Sequence, residues 1–155
     1  MDRDDDDRDP ERVPLHPSAR SSARMGLNEA ERVGPGLVHC RIAGYMRLTH
    51  LESAIFAANE EIRRGYRVRM FIDADDVHGY EGEARRVFQT WAKRNRDSIE
   101  GIWVLYRSPI VKMGVSLANA FTAGLIRGFA SPEEFERAFA TATRRSAAGE
   151  FRESR

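Results

Sequence analysis

In the first apolar segment of the chain, hydrophobic and polar residues alternate with the two-residue period of a β-strand. In Leu37–Gly44 the side chains of Cys40 and Ile42 share one face, and His39 and Arg41 take the other. Further apolar runs predict strands at Val68–Ala74, Ile102–Tyr106 and Leu125–Phe129. The nearly continuous apolar character of these runs is typical of strands that are covered on both faces.

Helical periodicity follows each of these strands. The first helix is predicted to begin at the capping-box sequence Thr49–Glu52 and to end before Gly65. A loop containing Gly79 and Gly82 is expected before the second helix. The remaining helices are predicted at Glu83–Arg96, at Ile110–Phe121 after the N-cap Ser108, and from the N-cap Ser131 to about Arg145. Four strand–helix units predict an α/β domain with one mostly parallel sheet covered by helices.

The two ends of the chain lack this periodicity. Residues 1–35 contain nine acidic residues and six arginines with few apolar positions, and residues 146–155 are similarly polar. Such segments bury too little apolar surface to offset the entropy of ordering. We therefore expect a disordered acidic and arginine-rich tail at 1–35, a folded domain at 36–145 and a second disordered tail at 146–155.

Composition excludes several classes of protein. Apolar residues make up 41% of the chain and charged residues 32%, and mean hydropathy is −0.55, which is typical of a soluble, cytoplasmic globular domain. No segment reaches the roughly 20 apolar residues of a membrane-spanning helix. Basic and acidic residues are interleaved, without the dense basic face of nucleic-acid-binding domains. A single cysteine and four histidines without metal-ligand spacing predict no disulfide, metal or cofactor.

The segments FIDADDVHGYEGEAR, IWVLYRS, PIVKMGVSLANAF and IRGFASPEEFERAF resemble, in order and character, the STAS/SpoIIAA-like superfamily. This superfamily includes anti-sigma-factor antagonists, cytoplasmic domains of sulphate transporters and, in outline, CRAL-TRIO lipid-binding domains. The resemblance spans about Leu37–Thr143. It implies regulated protein binding through a phosphorylatable Ser or Thr at a helix N-terminus after a strand that ends in Asp. Here Gly82, Glu83 and Ala84 occupy those positions, so the usual phosphorylation switch is absent.

Three carboxylates, Asp73, Asp75 and Asp76, follow the second predicted strand. One interpretation is structural, in which Asp75 and Asp76 shape a loop and Asp73 pairs with a neighbour such as Arg85. A second is a magnesium-dependent phosphatase using Asp73 and Asp75, because hard cations bind carboxylate oxygens. A downstream acidic pair that would complete such a site is missing. A third interpretation is contact with a partner.

The third predicted helix is apolar nearly all round, with Lys112, Ser116 and Asn119 as its polar side chains. A helix of this kind is buried on two sides. The second side could pack under the tails, contact another chain or hold an apolar ligand.

We expect a non-enzymatic STAS-like regulatory or protein-interaction module that binds a protein partner or forms a homodimer, with no cofactor. The alternatives are a CRAL-TRIO-like carrier of a small apolar or lipid ligand and the phosphatase described above. The predicted binding residues lie in the loops after strands two and three and on helix three. They are Asp73, Asp76, Tyr80 and Arg85 on one side, and Ser108, Lys112 and Ser116 on the other.

Overall fold

A computed structural model describes residues 28–150 of the chain. Strands and helices alternate along most of this region, as the sequence pattern predicts. The strands are β1 (Asn28–Gly34), β2 (Leu37–Met46), β3 (Val68–Tyr80), β4 (Ile99–Tyr106) and β5 (Ile126–Phe129). The helices are α1 (Leu48–Arg63), α2 (Gly82–Arg94), α3 (Pro109–Phe121) and α4 (Pro132–Ala147), and a 3-10 turn at Arg96–Ser98 precedes β4. None of the helices within 28–150 is both long and apolar enough to cross a bilayer.

The strands of this region form one sheet in the order β1-β2-β3-β4-β5. β2, β3, β4 and β5 are parallel neighbours, and β1 pairs with β2 in the antiparallel sense. The expected α/β class with a mostly parallel sheet is therefore confirmed. Parallel order arises because each helix returns the chain to the start of the next strand.

The two faces of the sheet are covered unequally. On one face α1, α2 and α3 pack through Leu51, Phe88 and Val111 against the larger apolar core. On the other face α4 packs alone, with Phe135 edge-on to Phe71 at 5.7 Å between ring centroids. One helix cannot cover a five-stranded sheet, so clefts remain beside α4.

The expectation of a disordered tail through residue 35 is wrong for residues 28–34, which form β1. β1 is an edge strand with mostly polar side chains, and backbone hydrogen bonds to β2 hold it in the sheet. Backbone pairing of this kind leaves no pattern of apolar residues in the sequence. Residues 1–27 lie outside the described residues. At the other end, α4 continues two residues past the expected boundary at 145, and residues 151–155 are not described.

A buried carboxylate fastens the β1–β2 hairpin to α1. The side chain of Glu61 is 1% exposed and accepts hydrogen bonds from Arg32 Nε at 2.6 Å, Arg64 Nη1 at 2.6 Å and the Gly36 amide at 2.9 Å. Gly36 has a φ of +68°, the left-handed conformation that glycine adopts without strain. The buried charge is thus compensated by two guanidinium groups and one backbone donor.

β3 extends through the segment that was expected to be a loop. It pairs with β2 as far as Met46 opposite Tyr80, with two register shifts, whereas its pairing with β4 ends at Ala74 opposite Tyr106. Asp75, Asp76 and Gly79 therefore lie within a two-stranded extension of the sheet, whereas Asp73 still lies between β2 and β4. A loop was predicted because glycine and aspartate have low strand propensity. The prediction was wrong because this segment pairs with β2, and β-bulges accommodate the extra residues of β3.

The predicted capping box at Thr49 is also wrong. α1 begins at Leu48 with Arg47 in the N-cap position, and Thr49 lies inside the first turn. The Arg47 amide donates a hydrogen bond to Nδ1 of His50 at 3.0 Å, so the reciprocal contact is made two residues earlier than expected. Three residues of spacing are common to both arrangements, which is why the motif alone did not distinguish them.

Candidate functional site

The three aspartates of β3 each have a separate local contact. Asp73 Oδ1 accepts a hydrogen bond from the Asp75 amide at 3.1 Å, which supports the bulge between them. Asp75 accepts from Arg107 Nη2 at 2.5 Å, and Asp76 lies 3.8 Å from Arg41 in a half-exposed ion pair. These contacts describe a structural role for the cluster. They do not bring two carboxylates together at one unoccupied binding position.

Asp73 and Arg85 lie on opposite faces of the sheet, so the suggested ion pair between them is wrong. Asp73 is opposite Leu105, which belongs to the cluster under α4. Arg85 lies on α2 on the three-helix face, where its Nη1 donates to Gln89 Oε1 at 3.2 Å. Alternation along β3 puts Asp73 on the same face as Phe71, and the ion pair was expected because the segment after Asp73 was interpreted as a loop.

Tyr80 and Arg85 do lie together, at an apolar cavity of about 60 Å³ between α2, α3 and the sheet. Ile72, Phe88 and Val104 also line it. Tyr80 is half-buried against α3, where a Cβ built on Gly114 would lie 2.6 Å from the phenol oxygen. The Tyr80 ring therefore packs under α3, with part of the side chain still exposed.

The α3 residues that were proposed as the opposite side of the site point elsewhere. Ser108 occupies the N-cap position, but its side chain makes no capping hydrogen bond. Lys112 is exposed, and the Ser116 hydroxyl donates to the Lys112 carbonyl at 3.0 Å. The inner face of α3, which meets Tyr80, is formed by Val111, Gly114 and Ala118. The seven predicted residues thus do not converge on one site.

A stripe of apolar side chains on α3 is the larger feature. Four residues, which we call the α3 stripe, are about half exposed: Ile110 (49%), Met113 (55%), Leu117 (49%) and Phe121 (43%). Spacings of three, four and four residues place them along one flank of the helix. The sequence indicated that α3 is apolar nearly all round, but the polar residues were named as binding residues. Which flank is uncovered depends on the neighbouring elements.

Lys93 of α2 lies at the end of this stripe. Its Nζ is 4.6 Å from the centroid of the Phe121 ring, within the range of a cation–π interaction. A second contact links the ends of the two helices: Arg96 Nη1, just after α2, donates a hydrogen bond to the carbonyl of Thr122, just after α3, at 2.5 Å. α2 and α3 therefore present their outer surfaces side by side.

Within residues 28–150, no three His, Cys, Asp or Glu side chains are grouped so that they could hold a metal ion. The one cysteine, Cys40, is fully buried in β2, and burial raises the pKa of its thiol to about 12. The thiol is therefore protonated at neutral pH. A protonated and inaccessible thiol is a poor nucleophile.

These features define an α/β domain of the SpoIIAA-like fold with an uncovered apolar helix flank. No family model matches the chain, and no curated protein matches it either. A similar solved structure is an uncharacterised protein of the DUF3478 family with a SpoIIAA-like fold from Shewanella loihica PV-4. The two chains superpose with a TM-score of 0.51 at 14% sequence identity, over 74% of this chain and 93% of that one. The likeness establishes the fold.

Proposed function

We propose that this chain is a non-enzymatic STAS-like interaction module that pairs with a second copy of itself through the α3 stripe. The observation that carries the proposal is the stripe itself, four large apolar side chains about half exposed on one helix flank. Contiguous apolar surface of this kind is uncommon on monomers and marks interaction sites.

The geometry of the stripe fits another helix. Side chains at intervals of three and four residues form the ridge that packs into the grooves of a facing helix. A two-fold axis across α3 would bring Ile110 of one copy near Phe121 of the other, with Met113 and Leu117 in the middle. α3 carries Lys112 as its charged residue, and that residue lies off the stripe, so two stripes meet without burying a like-charge pair.

Charges on α2 do not select one orientation of the pair. Glu83 in the first turn of α2 is offset by Arg85 and Arg86, and Lys93 and Arg94 lie in its last turn. α2 therefore carries an excess of positive charge, and the proposed pairing is supported by the apolar contact between the two α3 helices.

Two observations support an interaction module over the alternatives. The apolar cavity beside Tyr80 holds about 60 Å³, whereas pockets for small organic ligands measure roughly 300–1,000 Å³. A lipid does not fit there in this conformation. Against the phosphatase, Asp75 is paired with Arg107, Asp73 Oδ1 accepts a hydrogen bond from the Asp75 amide, and no metal-binding group of side chains is found within residues 28–150.

Sedimentation and light scattering over a concentration series test the pairing. The unmodified chain should be a dimer whose unfolding temperature rises with protein concentration, and Leu117→Glu should be a folded monomer whose unfolding temperature does not depend on concentration. Ser116→Glu is the matched control, because it adds the same charge to the adjacent exposed residue outside the stripe, and it should remain dimeric. A monomeric unmodified chain at every concentration, or dissociation by both variants alike, would overturn the proposal.

The non-enzymatic part has its own test. The full chain should show no turnover of p-nitrophenyl phosphate with magnesium. Turnover that disappears in Asp73→Asn would show instead that the aspartates of β3 are catalytic.

A further inference from the structure

Arg69 is a buried guanidinium group without a hydrogen-bond acceptor among the described residues. It is the second residue of β3, on the α4 face, and its side chain is 2% exposed. Its Nη1 and Nη2 are both buried and unpartnered. Its Nε is 3.9 Å from Glu100 Oε2, which is beyond hydrogen-bond distance. Burial lowers the pKa of Arg69. A buried charge in this state is strongly unfavourable unless an acceptor reaches it.

Arg69 lines a cleft of about 330 Å³ between α4 and the first halves of strands β3 and β4. Its polar side chains are Arg69, Glu100, Arg137, Thr141 and Arg145. Glu100 lies 3.9 Å from Arg69 and 3.9 Å from Arg145, and hydrogen-bonds to neither. Glu150, at 3.5 Å from Arg145 and mostly exposed, and Glu133, an electrostatic neighbour of Arg137, lie outside the lining. The lining itself has three guanidinium groups and one carboxylate, so its own charge is positive.

One wall of the cleft is a fixed aromatic surface. The Trp103 ring stacks on Phe71 at 4.8 Å with an interplanar angle of 12°. It lies over Gly101, where a Cβ would come within 2.7 Å of the ring. The missing side chain at 101 therefore lets the indole lie flat beside Arg69. Because this wall is already ordered, a ligand that binds against it loses little free energy to the ordering of side chains.

We propose that this cleft binds the phosphate group of a small molecule, with Arg69 as the buried anchor and Arg145 closing over it. Guanidinium groups bind phosphate oxygens through paired N–H donors, and a dianion neutralises more of the cluster than a carboxylate does. The volume of the cleft matches a small ligand. The site is on the opposite face of the sheet from the α3 stripe, so phosphate binding and the proposed pairing can be tested independently.

Titration of the full chain with inorganic phosphate at constant ionic strength tests the site, with calorimetry and the unfolding temperature as readouts. Phosphate should bind saturably and raise the unfolding temperature. Arg69→Met should weaken binding at least tenfold while keeping similar side-chain volume. Arg127→Met is the matched control, because Arg127 is an exposed strand arginine outside the cleft, and it should bind like the unmodified chain.

Because Arg69→Met removes a core residue, Arg145→Gln provides a second variant at a partly exposed position. It should weaken phosphate binding without lowering the unfolding temperature of the free protein. Equal effects of phosphate and sodium chloride would mean that charge screening alone operates, and binding of acetate as tight as phosphate would mean that the ligand class is wrong. Absence of saturable phosphate binding by the unmodified chain would show that the buried Arg69 does not anchor a phosphate, whatever the stability of Arg69→Met. Each of these results overturns the proposal.

Discussion

The phenol of Tyr80 occupies the space that a side chain at Gly114 would need. A Cβ built on Gly114 lies 2.6 Å from the Tyr80 oxygen and 2.7 Å from its Cζ. This contact seats α3 on the end of the β3 extension, at the mouth of the apolar cavity. The glycine is therefore required for helix packing, although glycine is a poor helix former.

Gly114→Ala should destabilise the protein by about 1–3 kcal/mol, because overpacking outweighs the gain in helix propensity. Urea denaturation measures the change. Adding Tyr80→Ala should relieve part of it, so the double variant should be less destabilised than the sum of the single ones. Gly82→Ala is the matched control, since a Cβ there meets nothing within 4 Å and φ is not positive. Equal costs at both glycines would contradict this interpretation of the contact.

The two Ser-Pro helix starts should respond differently to the same substitution. The Ser131 hydroxyl accepts a hydrogen bond from the Glu134 amide at 3.3 Å, whereas the Ser108 side chain makes no capping bond. Ser131→Ala should therefore cost about 1 kcal/mol, and Ser108→Ala should stay within about 0.5 kcal/mol of the unmodified chain. Chemical denaturation of the pair checks this. A larger loss at Ser108 would mean that the α3 cap forms after all.

Burial of Cys40 makes two measurable differences. The pKa of its thiol is about 12 in the folded chain and about 8.5 when exposed. Native protein should resist iodoacetamide at neutral pH and react once it is unfolded in guanidinium. Above the unfolded pKa the unfolded chain loses this proton and the folded chain keeps it, so stability falls as pH rises toward 12.

The Cys40 thiol lowers the free energy of unfolding by up to about 1.4 kcal/mol per pH unit in this range. The Cys40→Ala variant lacks that slope, so its stability deficit relative to the unmodified chain should shrink between about pH 9 and 12. A constant deficit across that range, or rapid native alkylation, would show that the thiol is accessible.

Local pattern was sufficient for most of the elements. Period-two alternation at Leu37–Gly44 and helical periodicity after it depend on residues near one another in sequence, so their prediction needed no knowledge of partners. The Ser131 cap and its proline were predicted for the same reason. The mostly parallel sheet followed from the alternation and from the handedness of crossovers.

The candidate site was less predictable. Asp73, Tyr80 and Arg85 were grouped because the segment between β3 and α2 looked like a loop, in which side chains can converge. The extended β3 instead places Asp73 toward α4 and Tyr80 toward α3. Strict alternation along β3 already puts Asp73 and Tyr80, which are seven residues apart, on opposite faces, and the two register shifts with β2 together leave that division unchanged.

The sequence by itself determined the α/β class, the order of the elements and the apolar character of α3, because these follow from short-range periodicity and from which side chains avoid water. Tertiary structure alone decided that polar β1 joins the sheet, that one flank of α3 stays uncovered and that Arg69 is buried without an acceptor. Each of these depends on contacts between elements far apart in the chain, where backbone pairing and the number of covering helices, and not local composition, set the outcome.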